Sequence, residues 1–263
     1  MDLKFPAPLR PGDVVGVTSP SSGASGPLQA RLDEAVAAVR RAGLRVVVGA
    51  CMDGARHISA PAAERAAELQ GMLLDPMIRA VVPPWGGETA IDLVDLLDWP
   101  AIARAEPTWF VGFSDIATLI APLTLTTGWA TIHGQNLMDT PYRIPAGTRY
   151  LDTRPLAALG DGLIVYVEAA GDDAATICRN LHGLRLAGFF DGAAAVLVGR
   201  TYAEPSPTLT QHEAVIDALG RLDVPIVADV ECGHWAPYLP LVNGALARVE
   251  HSPARSRITQ TLA

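Results

Sequence analysis

Residues 109–133 read WFVGFSDIATLIAPLTLTTGWATIH. A short apolar run, Trp109–Phe113, ends abruptly in Gly112-Phe113-Ser114-Asp115. Ile116-Ala117-Thr118-Leu119-Ile120 then continues with helical spacing. Pro122, Gly128 and the interspersed threonines argue against a membrane span, so the stretch predicts a buried helix followed by a strand at Ala130–His133. A serine at a sharp strand-to-helix turn presents its hydroxyl outward, beside the positive end of the helix. That is the geometry a serine nucleophile needs, and it marks Ser114.

Working outward, the same alternation fills the first half. Asp13–Thr18 reads as a strand, followed by a Ser-, Pro- and Gly-rich loop at Ser19–Pro27. Leu28, Leu32, Val36 and Val39 mark one face of a helix closed by Gly43. Leu44–Gly49 is a strand, Ala62–Leu74 a helix with Glu64 and Glu68 on its polar side, and Arg79–Pro83 a strand. Gly86-Gly87 turns the chain into a helix predicted over Thr89–Leu97. Strands separated by helices of this length predict a parallel sheet with helices on its faces, and ligands bind beyond the carboxyl ends of such strands. Ser19–Pro27, Trp85–Glu88 and Gly112–Asp115 are the loops that qualify.

Asp139–Gly162 has three prolines, scattered arginines and no clear period, which predicts a boundary. Beyond it, strands are expected at Leu163–Glu168, Ala193–Gly199 and Pro225–Glu231, and helices at Asp172–Leu186 and Thr210–Leu222. Two short strands near Leu246–Val249 and Arg257–Leu262 close the chain.

The 263 residues suffice for one large α/β domain or two smaller ones. With 49% hydrophobic and 18% charged residues, the chain is not disordered. A net charge of −8 without any Lys/Arg cluster argues against nucleic acid and against anionic membrane surfaces. Cys51, Cys178 and Cys232 are far apart and form no C-x-x-C, so they read as reduced thiols of a cytoplasmic protein, with neither a zinc site nor a disulfide framework. Met1–Pro6 lacks the apolar core of a signal peptide.

Ser114 requires a base. His133 and His234 both follow apolar strands and are the candidates; His57, His182, His212 and His251 stand in polar or helical contexts. A triad also requires a carboxylate, and Glu168 and Glu231 each end an apolar strand. Asp115 adjoins the serine, so its carboxylate is expected to cap the helix that follows. For an oxyanion hole, the Asp115 N–H is the first donor. Gly86-Gly87 offers the second, since glycine lets the backbone approach a substrate.

Taken in order, these segments resemble the LD-carboxypeptidase family of serine peptidases, which includes the microcin C self-immunity peptidases. The matching pieces are Leu9-Arg10-Pro11-Gly12-Asp13 with Ser19-Pro20-Ser21, and Trp85-Gly86-Gly87-Glu88 with Leu96-Leu97-Asp98. They continue with Val111-Gly112-Phe113-Ser114-Asp115, Thr131-Ile132-His133-Gly134, and Gly233-His234 with Pro237, Pro240 and Asn243-Gly244. The resemblance implies a Rossmann-like N-terminal domain over residues 1–140, a linker over 141–162 and a smaller α/β C-terminal domain over 163–263.

It further implies Ser114 as nucleophile, Glu168 as the triad carboxylate, His234 as base, and Gly87 and Asp115 as oxyanion donors beside Gly86. No metal or cofactor is implied. The implied state is a homodimer acting on a small peptide, as murein tetrapeptides are, or on a peptidyl- or aminoacyl-adenylate. An aromatic platform for a base would come from Trp85, Trp129 or Trp235. Two departures stand out: the Gly-Gly-Asn-Leu segment expected between His133 and Glu168 is missing, and Ala169-Ala170-Gly171 replaces an acidic residue after the glutamate. The missing segment, which helps form the substrate pocket in relatives, also motivates a non-enzymatic reading, a small-ligand-binding protein with a decayed site.

Overall fold

A computed structural model of the chain describes residues 3–139, 162–201, 206, 208–252 and 255–262. The predicted linker, apart from Gly162, lies outside the described residues. The described residues fall into two units. One holds 3–139, 240–245 and 262; the other holds those of 162–239 and 246–261.

In the first unit, β1 (Val14–Val17), α1 (Gln29–Arg41), β2 (Arg45–Val48), α2 (Ala62–Leu74), β3 (Ile78–Val81), α3 (Trp99–Arg104), β4 (Trp109–Gly112), α4 (Ala117–Thr127) and β5 (Thr131–His133) follow in order. All four residues of β1 are buried, as a central parallel strand covered on both faces requires. Its alternate side chains enter different clusters. Val14 joins Leu69, Leu73, Ile102, Leu119 and the fully buried Trp129 beneath α2–α4, while Val15 and Val17 join Leu32, Ala35 and Val36 of α1. Gly43 ends α1 at φ +87°, the left-handed conformation a helix C-terminus commonly uses.

One helix differs from the reading. Thr89–Leu97 is not a single helix: a 3-10 turn at Ala90–Leu93 is followed by α3. Asp98 accepts a hydrogen bond from the Ala101 N–H, and Pro100 lies in the first turn of α3, so a new helix starts where the predicted one should end.

The second unit contains β6 (Leu163–Val167), α5 (Ala174–Leu186), β7 (Ala193–Gly199), α6 (Gln211–Leu219) and β8 (Ile226–Val230). These three strands form a parallel sheet in the order β6-β7-β8. Ile177 and Leu181 of α5, and Val215, Ala218 and Leu219 of α6, pack with Val196 and Val198. Thr210 and Glu213 form a reciprocal capping box that starts α6. Next come β9 (Leu241–Asn243), β10 (Leu246–Ser252) and β11 (Arg255–Thr261), the last two an antiparallel hairpin.

β9 pairs antiparallel with β5 and completes the first sheet, ordered β2-β1-β3-β4-β5-β9. The order reverses between β1 and β3. The loops after β1 and β3 therefore flank a topological switch point, where open α/β sheets bind ligands, and the loop after β4 follows on the neighbouring strand.

Candidate active site

Ser114 follows β4 with φ +60°, left-handed backbone that a non-glycine residue rarely adopts. It opens a short 3-10 turn, Ser114–Ile116, leading into α4. Two neighbours make this turn possible. A Cβ on Gly112 would lie 2.9 Å from Asn136 Oδ1 and 3.0 Å from Ile116 Cβ, so only glycine lets the chain close there. Asn136, buried behind the turn, accepts from the Phe113 N–H at 3.3 Å and donates to Asp139 at 3.2 Å. Sequence reasoning passed over Asn136; its proximity to His133-Gly134 was the available signal.

The glycine pair lies against this serine. A Cβ on Gly86 would sit 3.3 Å from both Cβ and Oγ of Ser114 and 3.7 Å from the Asp115 nitrogen. Gly87 has φ +145°, and any side chain there would strike the Ser21 and Ser22 hydroxyls. The Gly86 carbonyl accepts from the Ser22 N–H at 3.2 Å, so the loops after β1 and β3 are tied together. The expectation for the Asp115 carboxylate is corrected. It does not cap its own helix but accepts from the Ala90 N–H at 2.8 Å, at the start of the earlier 3-10 turn Ala90–Leu93. It thereby joins the serine turn to the glycine loop.

Arg65, fully buried on α2, braces the same loops. Its guanidinium donates to the carbonyl oxygens of Pro20 at 2.5 Å, Ala60 at 2.9 Å and Thr89 at 3.0 Å. Glu68, read as part of a polar face, instead accepts from the Thr18 hydroxyl at 2.6 Å and from the backbone N–H groups of Ala50 and Cys51, at the carboxyl ends of β1 and β2.

In the second unit, Glu168 at the end of β6 meets His234 in the loop after β8. Glu168 Oε2 and His234 Nδ1 are 2.9 Å apart. Glycine again provides the room. A Cβ on Gly199 would press on Glu168 Cβ at 2.9 Å, and one on Gly233, at φ +102°, would lie 2.7 Å from Glu168 Oε2. Arg200 donates to the Pro237 carbonyl at 3.0 Å and helps fix the histidine loop. The alternative carboxylate, Glu231, lies 3.9 Å from Arg200 instead. A cleft of about 560 Å³ opens beside Glu168, with Asp172, Arg179, Asn180, Thr201 and Gln211 among its lining residues.

Ser114, Gly86, Gly87 and Asp115 thus gather in the first unit, and Glu168 and His234 in the second. His133, the other candidate base, is buried at the end of β5, edge-on to Phe113 with ring centroids 6.5 Å apart.

Two family models match consecutive parts of the chain: the LD-carboxypeptidase N-terminal domain over residues 15–134 and the LD-carboxypeptidase C-terminal domain over residues 131–249. The chain belongs to the LD-carboxypeptidase family. It is a carboxypeptidase-like hydrolase.

This LD-carboxypeptidase family member is 29% identical to a Streptomyces coelicolor protein named as a carboxypeptidase, over 95% of this chain and 94% of the relative. Two solved structures share its fold. A microcin C7 self-immunity protein in complex with glutamyl sulfamoyl guanosine has TM-score 0.76 and 21% identity, covering 90% of this chain and 92% of that one. A muramoyltetrapeptide carboxypeptidase from Oxalobacter formigenes has TM-score 0.77 and 18% identity, covering 93% and 97%.

Of the three tryptophans weighed as base platforms, Trp129 belongs to the core of this family member. Trp85 is half-buried with the Arg31 guanidinium 5.0 Å above its ring. Trp235, next to His234, is 42% exposed. Burial, then the Glu168 carboxylate, push the Cys232 thiol pKa up to about 12, and burial, then Glu68, push that of Cys51 up to about 11. No helix among the described residues is long and apolar enough to cross a membrane.

Proposed function

We propose that this LD-carboxypeptidase family member is a serine peptidase with a Ser114–His234–Glu168 triad. In this reading, His234 takes the Ser114 proton as the oxygen attacks an amide carbonyl, then returns it to the leaving amine. Water next releases the acyl group. Glu168 on Nδ1 sets the tautomer that makes Nε2 the working nitrogen. The Gly87 and Asp115 N–H groups hold the oxyanion, each worth ~3 kcal/mol in the transition state. Gly86, lacking a side chain, leaves space at the Ser114 hydroxyl.

The observation that carries this reading is the left-handed backbone of Ser114 at the strand–helix turn. Such strain is kept where it aims a reactive side chain. The substrate class is a small peptide of the murein tetrapeptide kind, losing a C-terminal D-amino acid, in keeping with the muramoyltetrapeptide carboxypeptidase that shares the fold. Its assay is release of D-alanine from such a peptide. Ser114→Ala should lower the rate by at least ~10³-fold with unchanged circular dichroism; an unchanged rate rejects the assignment. The same reading takes the enzyme as a cytoplasmic homodimer, and light scattering of the purified chain tests the dimer.

A second reading keeps the chemistry and changes the substrate to a nucleotide-linked aminoacyl compound. Exposed Trp235 beside His234 favours it, as a face on which a base could stack. Hydrolysis of an aminoacyl sulfamoyl adenosine, without action on the murein peptide, would select it.

A further inference from the structure

We propose that Cys178, His182 and Asp217, in the second unit, form a binding site for a zinc-like transition-metal ion that staples α5 to α6. Cys178 and His182 are four residues apart on α5 and so share one face, while Asp217 comes from α6. The Cys178 sulfur lies 3.4 Å from Asp217 Oδ2, and His182 Nε2 lies 2.8 Å from the same oxygen. One ligand atom from each residue lies within 4.8 Å of the others. A tetrahedral ion with bonds of about 2.0–2.3 Å holds its ligand atoms about 3.5 Å apart, so these side chains need open only slightly to admit one.

The donor set decides the class of ion. A thiol and an imidazole select zinc-like metals over magnesium or calcium, which prefer oxygen alone. The charges also balance: a dipositive ion, one thiolate, one carboxylate and one neutral imidazole sum to zero. Binding releases the Cys178 thiol proton to solvent. The His182 proton moves from Nε2 to Nδ1 through solvent, which leaves the Nε2 lone pair for the metal. Asp217, two-thirds exposed, leaves a fourth position that water can fill.

Arg185 opposes binding. Its Nη2 lies 3.2 Å from His182 Nδ1 and favours a lone pair there. It must turn aside when Nδ1 takes the proton, so Arg185→Ala should tighten binding. The cluster was invisible to C-x-x-C arithmetic because its third ligand comes from a different helix.

The test is a cobalt titration of the full chain after EDTA treatment and buffer exchange. One equivalent of Co²⁺ should produce a near-ultraviolet sulfur-to-cobalt band, and Zn²⁺ should displace it. Excess Zn²⁺ should raise Tm by about 5 °C. Cys178→Ser should abolish the band, while His182→Gln and Asp217→Asn should weaken binding by about tenfold or more. No band with ten equivalents of Co²⁺ overturns the proposal, as does a band that survives in Cys178→Ser. Peptide hydrolysis should be unchanged in Cys178→Ser, so this result and the triad assignment fail independently.

Discussion

The Asp115 carboxylate accepts a hydrogen bond from the Ala90 N–H at 2.8 Å. One side chain thus pins the loop after β3 to the turn after β4, the two segments proposed to hold the oxyanion. Asp115→Ala should lower kcat about 10–100-fold with little change in KM, since a loosened donor chiefly costs transition-state binding. Asp115→Asn, which can still accept from Ala90, should recover most of the loss. Equal loss in both variants would mean that the charge, not the bond, matters.

Gly233→Ala addresses the other unit. Its φ of +102° strains any side chain, and the added methyl would meet the Glu168 carboxylate. The variant should lose about 1–3 kcal/mol of stability in urea titrations and most of its activity. Full activity would separate the Glu168–His234 pair from catalysis.

Arg65→Met removes a buried guanidinium from three backbone carbonyls; the Pro20 and Ala60 oxygens lose that donor, while the Thr89 oxygen keeps the Asp92 N–H at 3.3 Å. Unfolding free energy should fall by about 3 kcal/mol. Arg65→Lys should regain only part, because an ammonium lacks the planar fork that reaches several acceptors. A loss below about 1 kcal/mol in Arg65→Met would show that these loops hold without it.

Alkaline stability follows from Cys232. Its folded-state value of about 12 stands above the ordinary 9.0. Between these values the unfolded chain gives up the thiol proton while the folded chain keeps it, so stability falls as pH rises from about 9, by up to ~1.4 kcal/mol per pH unit for one thiol. Urea titrations at several alkaline pH values should show that slope, and Cys232→Ala should reduce it, leaving the part that Cys51, raised to about 11, contributes by the same linkage. An unchanged slope in the variant would assign the decline to other groups.

Much of the candidate site's local geometry was legible because its signals are local. Val111-Gly112-Phe113-Ser114-Asp115 places a small residue and a hydroxyl where an apolar run stops, and the chain turns there. Leu163–Val167 and Pro225–Val230 are apolar enough to set Glu168 and the His234 loop at strand ends. The choice between Glu168 and Glu231 was not local; it depends on which carboxylate reaches His234. Arg65 and Glu68 occupy helix positions whose polarity says nothing about partners 45 to 50 residues away. The start of α3 was readable in Asp98-Trp99-Pro100, a cap followed by an early proline, but continuous apolar spacing through Leu97 masked it. Three-residue β9 is too short for alternation to reveal.

The central claim is most directly tested by mapping where a fluorophosphonate attaches. The account predicts one phosphonate per chain on Ser114, with labelling slowed at least ~100-fold in His234→Ala and in Glu168→Gln. A modified serine elsewhere, or Ser114 labelled at the same rate without His234, would contradict it.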